Sequence, residues 1–141
     1  MTAVAVSSGR ISTCLYESED GVSYELKEII FDHHNKDVVL FPEKINDKHY
    51  ALTRPVGDSY LAFHTESDKI AGSTINLATS PDMLHWKPLD RPLLHPLKKS
   101  KLNKSLGSGA PPILTKDGWL VLFHGTEHED ENPVGIYRTF W

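Results

Sequence analysis

The chain repeats itself, and the repeat favours small β-sheets set side by side over any helical architecture. Ser18-Glu19-Asp20-Gly21-Val22-Ser23-Tyr24 has the layout of Ser80-Pro81-Asp82-Met83-Leu84-His85-Trp86: Ser, any residue, Asp, three residues, then an aromatic ring. A second unit, Pro42 to Leu52, lines up with Pro112 to Leu122, and the two kinds alternate along the chain. Equivalent positions lie 62 and 70 residues apart, a spacing that suits a four-stranded sheet with one long loop. Blades of β-propellers typically run about 40–50 residues, so the loops here are expected to be generous.

Short runs of Val, Ile, Leu, Tyr, Phe and Trp between turn residues point the same way. They predict strands over Thr13–Tyr16, Val38–Phe41, His49–Thr53, Tyr60–His64, Thr74–Ala78, Trp119–Phe123 and Gly135–Phe140. Turns are expected at Asn46-Asp47-Lys48, Pro55-Val56-Gly57-Asp58, Ser80-Pro81-Asp82 and Lys116-Asp117-Gly118. Leu93–Leu106 carries the best helical period, but Pro92 and Pro96 interrupt its start and Gly107 follows, so a loop is expected there. In the Ser-x-Asp turn, the two side chains can accept from backbone N–H groups one or two residues on, fixing a tight turn. The aromatic ring then folds back to fill the gap toward a neighbouring sheet. These motifs read as scaffold, not as chemistry.

Composition narrows the function. Fifteen Lys and Arg against nineteen Asp and Glu give 141 residues a net charge of −4, which argues against a nucleic-acid partner. The apolar fraction of 39% suits one globular domain with no membrane partner. The one cysteine, Cys14, excludes an internal disulfide and a multi-cysteine zinc site, and the first ten residues lack a signal-peptide pattern, so a cytoplasmic location is expected.

Candidate chemistry concentrates in Asp32-His33-His34-Asn35-Lys36-Asp37-Val38-Val39-Leu40-Phe41-Pro42-Glu43. Asp37 and Glu43 are carboxylates flanking a short apolar strand. Inverting glycoside cleavage uses an acid and, for hydrolysis, a base about 6.5–9.5 Å apart. Six extended residues span up to about 20 Å, so this pair needs a bend to act together, and Glu43 serves equally well as a sugar-hydroxyl acceptor. His33 and His34 sit near Asp32 and Asp37, but adjacent side chains of an extended chain point to opposite sides, so no metal is expected. Lys98, Lys99, Lys101 and Lys104 read as a solvated basic loop. Gly107-Ser108-Gly109 lacks the spacing of a phosphate-binding loop and reads as a close backbone approach.

Five segments taken together carry a resemblance: 32–45, Leu52-Thr53-Arg54-Pro55, 78–86, 107–113, and Gly118-Trp119-Leu120-Val121-Leu122-Phe123-His124-Gly125. In this order they resemble glycoside hydrolase family 130, the β-mannoside phosphorylases and related β-mannosidases, over nearly the whole chain. The resemblance implies an all-β fold, a partial (incomplete) five-bladed β-propeller of about two to three blades. One partial propeller domain over 1–141 is expected, with a blade end at 1–31, a blade at 32–100 and a blade start at 101–141. It implies cleavage of β-mannosidic bonds with inversion, by phosphate or by water, in an oligosaccharide substrate. Asp37 matches the family's catalytic acid, which protonates the leaving oxygen through a hydroxyl of the bound sugar. Arg54 matches its phosphate-binding arginine, and His124 its site histidine, although Phe123 replaces a tyrosine. The basic residue of the phosphorylases falls on Ser105. With Glu43, read above as a sugar-hydroxyl acceptor, the expected substrate-binding positions are Glu43, Arg54, Ser105 and His124. No cofactor is expected beyond inorganic phosphate as co-substrate. The family continues beyond both ends of this chain, so open sheet edges are expected to promote self-association. The alternative is a non-catalytic propeller remnant with weak or no sugar binding.

Overall fold

The computed structural model describes residues 1–55, 73–96, 105–129 and 132–141. Every regular element among them is a strand. In chain order these are β1 (Thr2–Ser7), β2 (Arg10–Glu17), β3 (Glu25–Phe31), β4 (Asn35–Leu40), β5 (His49–Pro55) and β6 (Ile75–Ser80). Then come β7 (Lys87–Leu94), β8 (Ser105–Ser108), β9 (Ile113–Thr115), β10 (Gly118–Leu120), β11 (Phe123–Glu129) and β12 (Asn132–Phe140). They form antiparallel sheets in the orders β1-β2-β3, β4-β5-β6-β7 and β12-β11-β8, with β9 and β10 as a separate hairpin.

The middle sheet is buried on both faces, and the alternation of side chains on β5 and β6 shows how. Ala51 lies opposite Ala78 and Leu52 opposite Leu77, so small and large apolar pairs fall on opposite faces. On the alanine side, Ala51 and Ala78 join Leu15, Ile30, Phe31 and Val38 in a core shared with the first sheet, closed by Leu40, Met83 and Trp86. On the leucine side, Leu52 packs with Ile75 and Leu106 in a core shared with the third sheet, flanked by Val39, Phe41, Leu77, Leu94, Val121 and Phe123. Leu52 and Ile75 are fully buried. Each full burial of such a side chain contributes about 1.5–3 kcal/mol.

Both Ser-x-Asp segments form the same turn. Asp20 Oδ1 accepts from the N–H groups of Val22 (2.8 Å) and Ser23 (2.7 Å), and Ser18 Oγ accepts from Gly21 N–H at 2.8 Å. Asp82 Oδ1 accepts from Leu84 and His85 N–H, each at 2.9 Å, and Ser80 Oγ accepts from Met83 N–H at 2.8 Å. Hydrogen bonds to the ionised form hold Asp20 down to about 2, the Ser23 and Val22 amides leading. At Asp82 the His85 amide, then the His85 ring and the Leu84 amide, push the carboxyl further down. The aromatic positions differ. Trp86 donates Nε1–H to Met83 O at 2.6 Å and packs against Phe31 with ring centres 5.8 Å apart, whereas Tyr24 stays 44% exposed. Of the two rings expected to fill a gap between sheets, Trp86 does so against Phe31 of the first sheet, while Tyr24 borders an open cavity with Asp82, Met83 and Leu84.

Several expected strands fall inside longer observed ones: 13–16 in β2, 49–53 in β5 and 135–140 in β12. Trp119–Phe123 is a correction. It divides between β10 and β11 because, among the described residues, β10 pairs only with β9, while Leu122 O accepts from Gly109 N–H at 2.9 Å. Strands β1, β3, β7, β8 and β9 were not expected. In β7, Pro88 and Pro92 disguise a strand that tolerates them because it forms the edge of its sheet. Tyr60–His64, residues 56–58 of one expected turn, and Lys98, Lys99, Lys101 and Lys104 lie outside the described residues.

The Ser80–Asp82 turn has a pH signature. The folded-state carboxyl of Asp82 titrates below its ordinary value of 3.8, so its contribution is complete above that value and lost as pH falls below it. Asp82→Asn should lower the urea midpoint near neutral pH, and the gap from the parent should narrow steadily from about pH 4 to about pH 2. A gap that stays constant over this range would mean that the carboxylate charge contributes nothing.

Candidate active site

Asp37 sits where β4 departs from regular pairing. Lys36 lies opposite Arg54 and Val39 opposite Leu52, so Asp37 and Val38 form a bulge between them. Asp37 has φ +50°, the left-handed region that Asp tolerates better than most non-glycine residues. Bulges re-aim side chains, and this one sets the Asp37 carboxylate 3.0 Å from Arg54 Nη1 on β5.

The third sheet supplies the rest. His124 on β11 lies opposite Gly107 on β8, and its Nε2 is 3.5 Å from the same Asp37 oxygen, Oδ2. Gly107 is required by that convergence. A Cβ there would collide with Asp37 Oδ2 and lie 2.6 Å from both Cε1 and Nε2 of His124. Asp37, Arg54 and His124 thus converge from two sheets over a bare Cα.

The cluster is half-buried, with side-chain exposures of 15% for Arg54 and 25% for both Asp37 and His124. Asp37 Oδ2 and Arg54 Nε have no hydrogen-bond partner among the described residues. The 3.0 Å approach of Nη1 is therefore a contact of opposite charges whose N–H is not aimed at the carboxylate. Buried donors left in this state are costly unless a ligand satisfies them. An oxyanion offers the acceptor that Arg54 lacks, and a sugar hydroxyl can donate to Asp37.

The other expected positions divide. Ser105 begins β8 two residues before Gly107, on the same side of the strand, and its Oγ shares a hydrogen bond with Thr126 Oγ1. Glu43 is exposed in the bend beyond β4, past the strand end opposite Asp37, and stands outside the cluster. His33 and His34 diverge: His33 Nε2 meets Asn35 Nδ2 at 3.3 Å, His34 Nε2 meets Gly9 O at 3.4 Å. Among the described residues, no three His, Cys, Asp or Glu side chains gather where a metal could be held. Asn35 is a member that sequence reasoning missed. It is 1% exposed, and its Oδ1 accepts from Arg54 N–H at 2.9 Å.

Gly107→Ala tests the convergence. The added methyl must displace the Asp37 carboxylate or the His124 ring, and overpacking of this kind costs about 1–3 kcal/mol. Urea denaturation should show that loss with the β-sheet spectrum unchanged; an unaltered midpoint would mean that the two sheets do not meet over Gly107.

Comparison with known proteins adds an independent line. Residues 7–140 match the glycoside hydrolase 130 family model, described as beta-1,4-mannooligosaccharide phosphorylase. The 1,2-beta-oligomannan phosphorylase of Thermoanaerobacter sp. is 33% identical over 122 residues, which are 86% of this chain and 36% of that protein. The beta-1,2-mannobiose phosphorylase of Listeria innocua is 35% identical over 132 residues, 93% of this chain and 34% of its own. The solved structure of a Listeria innocua beta-1,2-mannobiose phosphorylase in complex with beta-1,2-mannobiose superposes with a TM-score of 0.77 at 35% identity, covering 96% of this chain and 34% of that one. The chain therefore spans about a third of the length of these relatives. With nearly all of its residues matched, it belongs to glycoside hydrolase family 130.

Proposed function

We propose that this chain contributes part of the active site of an inverting β-mannoside phosphorylase, with inorganic phosphate as the attacking group. The observation that carries the reading is the convergence of Asp37, Arg54 and His124 over Gly107, with Arg54 Nε unpartnered among the described residues. The relatives' names supply the substrate class: each is a phosphorylase of β-linked mannosides. We read the sheets as parts of a five-bladed propeller, β4 to β7 forming one blade whose inner strand carries Asp37. The packing of the middle sheet between two neighbours supports that reading.

Each role follows from charge and geometry. Phosphate must be held with its negative charge compensated while one oxygen faces the anomeric carbon. A guanidinium suits this, because its planar donors match phosphate oxygens in pairs. An incoming phosphate takes Arg54 from Asp37, which leaves the carboxyl free to meet the sugar. Asp37 is then the proton donor toward the leaving oxygen, acting through a sugar hydroxyl, and His124 steadies sugar or phosphate from the adjacent sheet. The roles proposed here call on no metal or organic cofactor.

Two experiments test this. The protein expressed from its complete reading frame, given β-1,2-mannobiose and phosphate, should release mannose 1-phosphate, followed by phosphorus NMR. Asp37→Asn should lower that turnover by about 10²–10⁴-fold, the usual worth of general acid catalysis. Turnover within a few-fold of the parent would remove Asp37 from the mechanism. Ser105 places a neutral hydroxyl on the Gly107 side of β8, so Ser105→Lys should tighten phosphate about ten- to a hundredfold, the value of one charge-assisted hydrogen bond. A parent that already saturates at submillimolar phosphate would show that another cation fills that place.

A further inference from the structure

We infer that Asn35 is a positioning residue that fixes Arg54, and through it the phosphate-binding half of the site; this rests on the phosphorylase reading above. Asn35 is 1% exposed, yet it touches no reacting group. Its two polar atoms instead join the Arg54 backbone on β5 to His33, just before β4. Oδ1 accepts from the Arg54 backbone N–H at 2.9 Å, and Nδ2 meets His33 Nε2 at 3.3 Å.

The first bond sets the orientation of the amide. A main-chain N–H can only donate, so the atom facing Arg54 must be the amide oxygen, and the NH₂ group therefore donates to His33. His33 is anchored in turn: its ring lies edge-on to Phe31 at 5.7 Å, and Phe31 is buried in the core between the first two sheets. A continuous line runs from that core through Phe31, His33 and Asn35 to the backbone that carries the Arg54 guanidinium.

The need for such a tie follows from the local pairing. β4 is interrupted by the bulge at Asp37 and Val38, immediately beside the Lys36–Arg54 pair. Asn35 lies opposite Pro55, which has no N–H to give to the ladder. The sheet is thus weakest where the Arg54 backbone must be held in place, beside Asp37 at 3.0 Å. The buried side chain of Asn35 supplies an acceptor there, in a setting of low dielectric where a fully satisfied polar group rigidifies its surroundings.

The test compares Asn35→Ala, Asn35→Asp and His33→Phe in the protein expressed from its complete reading frame. Two quantities are read: hydrogen exchange of the Arg54 amide, and the dissociation constant for inorganic phosphate from the shift of the Arg54 side-chain ¹⁵Nε resonance. Asn35→Ala should speed exchange at Arg54 and weaken phosphate about tenfold, the worth of a typical hydrogen bond. Asn35→Asp keeps an oxygen for the Arg54 N–H and should hold exchange near the parent rate. His33→Phe alters an exposed residue, keeps a ring on Phe31 and removes the acceptor for Nδ2; it should shift both readouts in the direction of Asn35→Ala, by less. It also keeps the inference testable if Asn35→Ala does not fold. Unchanged Arg54 exchange and phosphate affinity within twofold of the parent, in Asn35→Ala or His33→Phe, overturn the inference. Neither readout uses turnover. A parent that binds phosphate at Arg54 but releases no mannose 1-phosphate would sink the phosphorylase reading while leaving the role of Asn35 standing.

Discussion

One oxygen atom, Oδ2 of Asp37, sets the terms for the whole site. It must lie beside a guanidinium from its own sheet and an imidazole from the next, so the two sheets have to come unusually close at that point. Three features make this possible, and each is awkward alone. β4 gives up regular pairing at the bulge, Asp37 takes a positive φ, and β8 carries no side chain at Gly107. Elements that break local rules together, beside unpartnered polar atoms, are a pattern of functional sites more than of scaffolds.

The remainder of the chain holds that point steady. Leu52 lies two residues before Arg54 and Leu106 one residue before Gly107, and both belong to the core between the second and third sheets. The packing that joins the sheets therefore sits directly beside the residues that meet across them. On the other face, alanines at 51 and 78 let the first sheet approach with Phe31 and Leu15 between. The Ser80–Asp82 turn ends β6 at the end of the sheet away from Arg54, since Ser80 lies opposite His49 at the start of β5. Its carboxylate satisfies backbone donors that would otherwise need water, and Trp86 closes the core above it.

The sequence was most legible where one residue type has one use. The paired Ser-x-Asp turns could be read because a short oxygen-bearing side chain at fixed spacing has few competitors for the following amides. The strand containing Ala51 and Leu52 could be read from its apolar run. Asp37, Arg54 and His124 were singled out by motif and resemblance, and the structure brings these three together. Their meeting was not legible, because a bulge is a property of pairing between strands and leaves no local mark at Lys36-Asp37-Val38. Glu43 illustrates the converse: six residues from Asp37 along a strand, it needed a bend between them, and the bend lies beyond the end of β4. Pro88 and Pro92 hid β7, since proline reads as a strand breaker until the strand is known to be an edge. Asn35 was passed over because a buried asparagine looks like any loop asparagine until its partner, the Arg54 amide, is known.

The proposed mechanism requires Arg54 and Asp37 to separate and admit phosphate between sheet and sugar. A crystal structure of the protein with inorganic phosphate tests it most directly. The expected result is a phosphate oxygen within hydrogen-bond distance of Arg54 Nε and the Asp37 carboxylate turned away from the guanidinium. Phosphate bound elsewhere, with the Asp37–Arg54 contact still at about its present 3.0 Å, would contradict it.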